Sequence, residues 1–114
     1  MSKVGVSVVM ILILTSCGTV QPLYNWKAYE NVSYLYYKQQ TPEAEAKLVK
    51  NFESMIAKPG GSTHKVPPGI YAEYGYYLLN HNQKEKGLKM MAVEIDLYPE
   101  SKSFVERIIK QAKK

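Results

Sequence analysis

The apolar residues of this chain follow two different patterns, and the pattern changes near Cys17. From Val4 to Leu14 they form a run that leaves no polar face. Further along, apolar residues recur at steps of three and four, which is the spacing of an amphipathic α-helix. No segment alternates convincingly between polar and apolar residues, so the sequence predicts an all-α fold.

Five helices are expected after the first apolar run. Thr41 and Pro42 mark one start, because Thr is a favoured N-cap and Pro is favoured at the first helical position. Asn25 is expected to cap an earlier helix, and Ser103 a later one through a capping box with Glu106. The predicted helices span residues 26–39, 42–58, 68–80, 84–98 and from 103 towards the C-terminus. The third predicted helix carries Tyr71, Tyr74, Gly75 and Leu78 on one side. On the other helices, the residues predicted to face inward include Leu48, Phe52, Met55, Leu88, Met91, Ala92, Ile95, Phe104, Val105 and Ile108.

The segment from Pro68 to Ser101 matches the tetratricopeptide period of about 34 residues, in which two helices and a turn form one repeat. Gly75 and Gly87 fall where such helices cross closely, whereas Glu94 occupies a position that prefers a small residue. The helices over 26–58 then form a degenerate first repeat. The expected architecture is therefore a set of antiparallel helical hairpins, tetratricopeptide-like, with a C-terminal capping helix.

The first apolar run is typical of a signal peptide. The sequence Leu14-Thr15-Ser16-Cys17-Gly18 at its end resembles the bacterial lipobox, in which a signal peptidase cuts before a lipidated cysteine. A transmembrane helix needs about 20 apolar residues, roughly twice this length. A buried core helix is the other alternative, but it would not normally begin with Met-Ser-Lys. The expected division is a signal peptide over 1–16, an acylated cysteine with a short tether over 17–23, and a helical repeat-like domain over 24–114.

Cys17 is the only cysteine of the chain, and lipidation would use it. Diacylglycerol on its sulfur and a further acyl chain on its amine would make membrane attachment effectively permanent. No thiol would then remain for a disulfide or for catalysis. Gly18 stands where an Asp commonly signals retention in the inner membrane, so export to the outer membrane, facing the periplasm, is expected.

Nothing in the chain indicates catalysis, a cofactor or a metal site. His64 and His81 lie in predicted turns without the spacing of metal ligands. Asp96, the only aspartate, is poorly placed on a helix to orient a histidine. We therefore expect a protein that is not an enzyme. A hydrolase would need a cleft that joins Asp96 or Glu94 to a histidine.

The formal net charge is +5, and removal of Lys3 with the signal peptide lowers it by one. A basic envelope protein can attract anionic headgroups or acidic partners, whereas nucleic acid is not expected in that compartment. The main basic surface is expected from Lys84, Lys86 and Lys89 together with the lysine-rich C-terminus.

Ten tyrosines are a large number for a chain of 114 residues. Tyrosine combines an apolar ring with a polar tip, which suits helix faces that are half-buried or that contact a partner. Helical repeats normally need about three stacked units to bury their apolar faces. One clear repeat, one degenerate repeat and a cap should therefore leave a surface for a protein partner or a second copy of the chain. The residues expected on this surface are Tyr34, Tyr37, Tyr71, Tyr74, Tyr77 and Glu94.

Several segments also resemble a catalogued family of small bacterial lipoproteins, domain of unknown function 4810. They are Tyr24-Asn25-Trp26 with Tyr29-Glu30, the proline-rich block from Val66 to Gly75, and Glu94 with Tyr98-Pro99-Glu100-Ser101. Members often carry Gly where this chain has Lys27, and commonly Ala at the position of Gly87. Family members are often encoded beside two other lipoproteins, one similar to the curli secretion channel, so the resemblance implies an envelope assembly and no catalysed reaction.

These observations favour a lipoprotein of the outer membrane that acts as a non-catalytic adaptor for other envelope proteins. The alternative is a structural envelope protein that binds peptidoglycan or anionic lipid directly through its lysines. Salt-sensitive binding to cell wall or vesicles without other proteins would distinguish the alternative.

Overall fold

The computed structural model describes residues 21–112, so the predicted signal peptide and Cys17 lie outside the described residues. The helices are α1 (Tyr29–Gln39), α2 (Pro42–Ala57), α3 (Ile70–Leu79), α4 (Lys84–Leu97) and α5 (Lys102–Ala112), with a 3₁₀ turn at Pro99–Ser101. All regular structure within residues 21–112 is helical, which confirms the predicted all-α class. No helix in this part of the chain has the length and apolar character needed to cross a bilayer.

Of the three predicted N-caps, one is right and two are wrong. Thr41 caps α2, since its Oγ1 accepts a hydrogen bond from the Ala44 amide at 3.1 Å. Asn25 does not cap α1, which begins at Tyr29; its Oδ1 accepts from the Lys27 amide in a local turn instead. Ser103 is not a cap either, because the 3₁₀ turn that begins at Pro99 leads directly into α5 one residue earlier.

Helices α1 and α2 pack in opposite directions and form the main core with α3. The Ala28 amide donates to Asn51 Oδ1 near the start of α1, and the ring centroids of Tyr29 and Phe52 lie 6.4 Å apart. Phe52 is fully buried. The buried apolar residues of this cluster are Val32, Leu48, Phe52, Met55, Val66, Ile70, Tyr74 and Leu78.

Helices α3 and α4 cross closely at two glycines, as predicted. A Cβ on Gly75 would lie 2.8 Å from the Gly87 carbonyl oxygen and 2.7 Å from Met91 Cγ. A Cβ on Gly87 would lie 2.8 Å from the Gly75 carbonyl oxygen. Each glycine therefore admits the backbone of the other helix, and an Ala at position 87 would not fit without a shift.

A second cluster fixes α5 against this pair of helices. Ala72, Met91 and Val105 are buried together, and Leu79, Ile95, Ile108 and Ile109 pack around them. Two residues predicted to face inward, Ala92 and Phe104, are exposed. On α4 the buried line runs instead through Gly87, Met91 and Glu94.

The predicted tether is held to the domain from Pro22 onwards. The Ser62 amide donates to the Pro22 carbonyl at 3.0 Å. The Leu23 carbonyl accepts from the Thr63 amide at 3.2 Å and from Thr63 Oγ1 at 2.7 Å. Residues 22–24, which we call the N-terminal strap, therefore run along the loop between α2 and α3.

Candidate functional site

A groove of about 440 Å³ lies between α3 and α5. Tyr76 and Phe104 form its walls and expose 46% and 56% of their surface, respectively, so two aromatic rings stand open to solvent. The residues that line it are Gly69, Ala72, Glu73, Tyr76, Phe104, Ile108 and Gln111. An exposed apolar surface rimmed by polar groups is typical of an interaction site.

A smaller pocket of about 150 Å³ lies on the other side of Tyr76, between α3 and the first two helices. Its lining residues are Tyr36, Tyr37, Leu48, Phe52, Glu73, Tyr76, Tyr77, Asn80 and His81. Because Glu73 and Tyr76 line both depressions, we describe the two together as the aromatic groove. It runs from α1 across α3 to α5.

Glu73 is the one carboxylate that lines the aromatic groove, whose lining includes neither lysine nor arginine. Its Oε2 accepts a hydrogen bond from the Tyr29 hydroxyl at 2.5 Å. Burial raises the pKa of the Glu73 carboxyl above its ordinary value, although the bond from Tyr29 opposes the shift. Burial and the nearby Glu73 carboxylate in turn raise the pKa of Tyr29, so this phenol stays protonated and continues to donate.

Two of the predicted tyrosines lie at the aromatic groove. Tyr37 lines the smaller pocket and is 64% exposed. Tyr77 lines the same pocket but is partly buried, and its hydroxyl donates to Glu45 Oε1 at 2.5 Å. Tyr34 is also exposed, but it lines a separate depression on α1 with Lys27 and Glu30-Asn31.

Tyr74 corrects the sequence-based assignment, because it is a core residue and only 2% exposed. Its ring centroid lies 5.3 Å from that of Phe52, and its hydroxyl reaches Glu53 Oε1 at 3.2 Å. Tyr71 is half-buried, packs against the same core cluster and does not line the aromatic groove. Neither Tyr74 nor Tyr71 therefore belongs to this surface.

Glu94 is likewise unavailable to a partner, since it is 1% exposed. Its Oε1 accepts from the Ala72 amide at 3.4 Å, while its Oε2 is buried without a hydrogen-bond partner among the described residues. Gly69 precedes α3 and has no side chain that could cap it. Glu94 thus caps α3 from the neighbouring helix, which explains why a carboxylate replaces the small residue of the repeat pattern. Burial raises the pKa of the Glu94 carboxyl.

Sequence reasoning did not place Glu73 or Tyr76 on this surface, and it expected Phe104 to face inward. The signal was present in the helical spacing. Tyr74, Gly75 and Leu78 share one side of α3, so residues 73 and 76 lie on another face of this helix. Phe104 was expected to face inward because it is spaced four residues before Ile108, but it lies at the edge of the apolar stripe of α5.

The two histidines lie in different surroundings, and one of them contacts a carboxylate. His81 stacks on Tyr77 with ring centroids 3.9 Å apart, and its Nε2 lies 3.1 Å from Glu45 Oε1. The structure therefore joins a histidine to Glu45, whereas the hydrolase hypothesis required Asp96 or Glu94. His64 is exposed in the loop before α3. Residues 21–112 contain no group of three or more His, Cys, Asp or Glu side chains that could hold a metal ion.

Comparison with known proteins identifies a family. Searches of curated proteins and of solved structures give no significant match. The model of the family described as domain of unknown function (DUF4810) matches residues 23–108. This range includes all of α1 to α4 and every residue of the aromatic groove except Gln111. The chain therefore belongs to the DUF4810 family.

Proposed function

We propose that this protein is a lipid-anchored component of the bacterial cell envelope that binds a protein partner in its aromatic groove. Cys17 would carry the lipid, and the domain would face the periplasm from the outer membrane. The protein would act as an adaptor and catalyse no reaction. The observation that carries the proposal is the aromatic groove itself, in which exposed aromatic rings surround one half-buried carboxylate.

The exposed rings support a macromolecular partner. Exposed apolar patches of this kind lower the solubility of a protein unless something covers them. Aromatic residues are also the side chains most enriched in the energetic centres of protein interfaces. Tyr37, Tyr76 and Phe104 are such residues, and they belong to three different helices that the two core clusters hold in place.

The charge of Glu73 defines the chemistry of the partner segment. An apolar or acidic segment placed over Glu73 would bury its charge with the Tyr29 hydroxyl as its one hydrogen-bond donor and no cation beside it, which is costly. A lysine or arginine side chain would pair with the carboxylate and lie against the rings of Tyr37 and Tyr76. We therefore expect the partner to present a basic residue next to an aliphatic one, the aliphatic side chain filling the space between Tyr76 and Phe104.

The lipid anchor is supported by the sequence around Cys17, and mass spectrometry of the purified protein tests it. A mature N-terminus at Cys17 that carries diacylglycerol and an additional acyl chain is the expected result. A cysteine without lipid, or a chain that retains residues 1–16, would contradict the anchor while leaving the aromatic groove untouched.

Site-specific crosslinking in intact cells tests the binding surface. A photoreactive phenylalanine replaces Tyr76 within the aromatic groove, and the matched control replaces Ala92, which is exposed on α4. We expect an adduct from position 76 whose crosslinked segment contains a basic residue beside an aliphatic one. Its yield should fall with Glu73→Gln but not with Glu85→Gln, which changes an exposed residue outside the groove. Equal adduct yields from positions 76 and 92 would contradict the proposal. So would a yield from position 76 that is the same with and without Glu73→Gln.

A further inference from the structure

The N-terminal strap and the adjoining loop place two apolar side chains at one end of the molecule. Leu23 is 62% exposed and Trp26 is 41% exposed, although both are large apolar residues. Leu23 is held to Thr63 through its carbonyl, and a Cβ on Gly61 would lie only 2.5 Å from that same oxygen. The strap therefore lies directly against the loop, while the side chain of Leu23 remains exposed to solvent.

The same end of the molecule is basic. Residues 22–27 and 54–66 include Lys27, Lys58 and Lys65 and contain no acidic residue. Lys27 is anchored beside the strap, since its Nζ donates to the Ser54 carbonyl at 2.8 Å and to Ser54 Oγ at 2.9 Å. Lys58 and Lys65 are exposed. Apolar side chains among lysines suit the interface of an anionic bilayer, where tryptophan is also enriched.

The position of Cys17 relative to the strap determines which surface this end can meet. Four residues lie between Cys17 and Pro22, which makes five Cα-to-Cα steps, and an extended chain spans at most about 3.5 Å per residue. A lipid on Cys17 would therefore hold Pro22 within roughly 20 Å of the bilayer. Because Pro22 is hydrogen-bonded to Ser62, the loop comes to the bilayer with it.

We infer that the end of the domain formed by Leu23, Trp26, Lys58 and Lys65 lies on the anionic surface of the membrane that holds the lipid anchor. This inference rests on the proposed lipid anchor and is independent of the partner. It gives the domain a fixed orientation, in which the strap faces the lipid.

Trp26 reports on this orientation directly, because it is the only tryptophan of the chain. The mature lipidated protein, which begins at Cys17, is reconstituted in phosphatidylethanolamine–phosphatidylglycerol vesicles, and tryptophan fluorescence is excited selectively. Lipids that carry bromine near the headgroup should quench Trp26 strongly, and lipids with bromine at the chain ends should quench it weakly. The double variant Lys58→Glu, Lys65→Glu should lose this quenching, with a fall of roughly tenfold or more in the ratio of membrane-apposed to free domain.

The matched control is Lys89→Glu, Lys110→Glu, which reverses two exposed charges outside the strap and loop. It should quench like the parent protein. Absence of quenching in the parent protein would overturn the inference. Equal quenching in the two double variants, or loss of quenching in Lys89→Glu, Lys110→Glu alone, would also overturn it. Mass spectrometry of the same sample reports lipid on Cys17, so failure of the anchor is seen separately from failure of the orientation.

Discussion

Replacing Gly61 by Ala should release the N-terminal strap. Gly61 has a φ of +72°, and its added Cβ would lie 2.5 Å from the Leu23 oxygen and 2.7 Å from Tyr24 Cα. These are backbone atoms, so no rotation of a side chain can relieve the contact. The strap must move, and the hydrogen bonds from Ser62 and Thr63 to the strap must lengthen or break.

The size of the effect follows from two contributions. A non-glycine residue in the left-handed region costs about 1–2 kcal/mol. Each of the three hydrogen bonds to the strap contributes about 0.5–1.5 kcal/mol, and water can replace part of this because the strap is exposed. The free energy of unfolding should therefore fall by about 2–4 kcal/mol in Gly61→Ala.

Gly69 provides the matched control. Its φ is +93°, but an added Cβ would meet no atom within 4 Å. Gly69→Ala should therefore lose only the backbone contribution of about 1–2 kcal/mol. Urea unfolding followed by helical circular dichroism measures both variants, and hydrogen exchange should show faster exchange at the Ser62 and Thr63 amides in Gly61→Ala alone. Equal destabilisation with unchanged exchange would refute this account of the strap.

Three further predictions concern the packing of the domain. Glu94→Gln should gain stability relative to the parent protein as the pH rises above the ordinary pKa of Glu. Burial raises the pKa of Glu94 in the folded state, so ionisation of this carboxyl weakens the parent fold in that pH range. Unfolding at a series of pH values checks this, and a stability difference between the two proteins that stays constant with pH would contradict it. Tyr74→Ala should lower the free energy of unfolding by about 3–5 kcal/mol, as for other large aromatic core residues. Tyr76→Ala should change it by no more than about 0.5 kcal/mol in the same denaturant assay. Similar losses in the two variants would contradict the assignment of Tyr74 to the core and of Tyr76 to the surface. Gly75→Ala should destabilise by about 1–3 kcal/mol by forcing α3 and α4 apart, and an unchanged melting temperature would show that the crossing is looser than the structure indicates.

The helices and their class could be predicted from the sequence because their signals are local. Thr41-Pro42 starts a helix by its own backbone chemistry, and the spacing of Leu48, Phe52 and Met55 defines a single buried face. The glycine crossing could also be predicted, since a glycine within a helix costs about 1 kcal/mol relative to Ala and close packing of a second helix offsets that cost.

The candidate site could not be predicted in the same way, because it depends on contacts between helices. Tyr74 is buried because it packs against Phe52 on another helix. Glu94 caps α3 because Gly69, which precedes that helix, has no side chain that could do so. The composition showed a surplus of tyrosines without showing which ones face solvent. The strap was missed because its hydrogen bonds join residues about 40 positions apart.

Isothermal titration calorimetry of peptide binding to the aromatic groove tests the central claim most directly. The ligand is a synthetic peptide that covers the segment crosslinked to position 76, and the proteins are the full-length parent, Glu73→Gln and Glu85→Gln. A hydrogen bond between charged groups contributes about 1.5–3 kcal/mol, so Glu73→Gln should weaken binding by about tenfold or more, whereas Glu85→Gln should bind like the parent. Affinity for the parent should also fall as the pH is lowered through the raised pKa of Glu73, and this dependence should be absent from Glu73→Gln. Equal affinities for all three proteins would contradict the account.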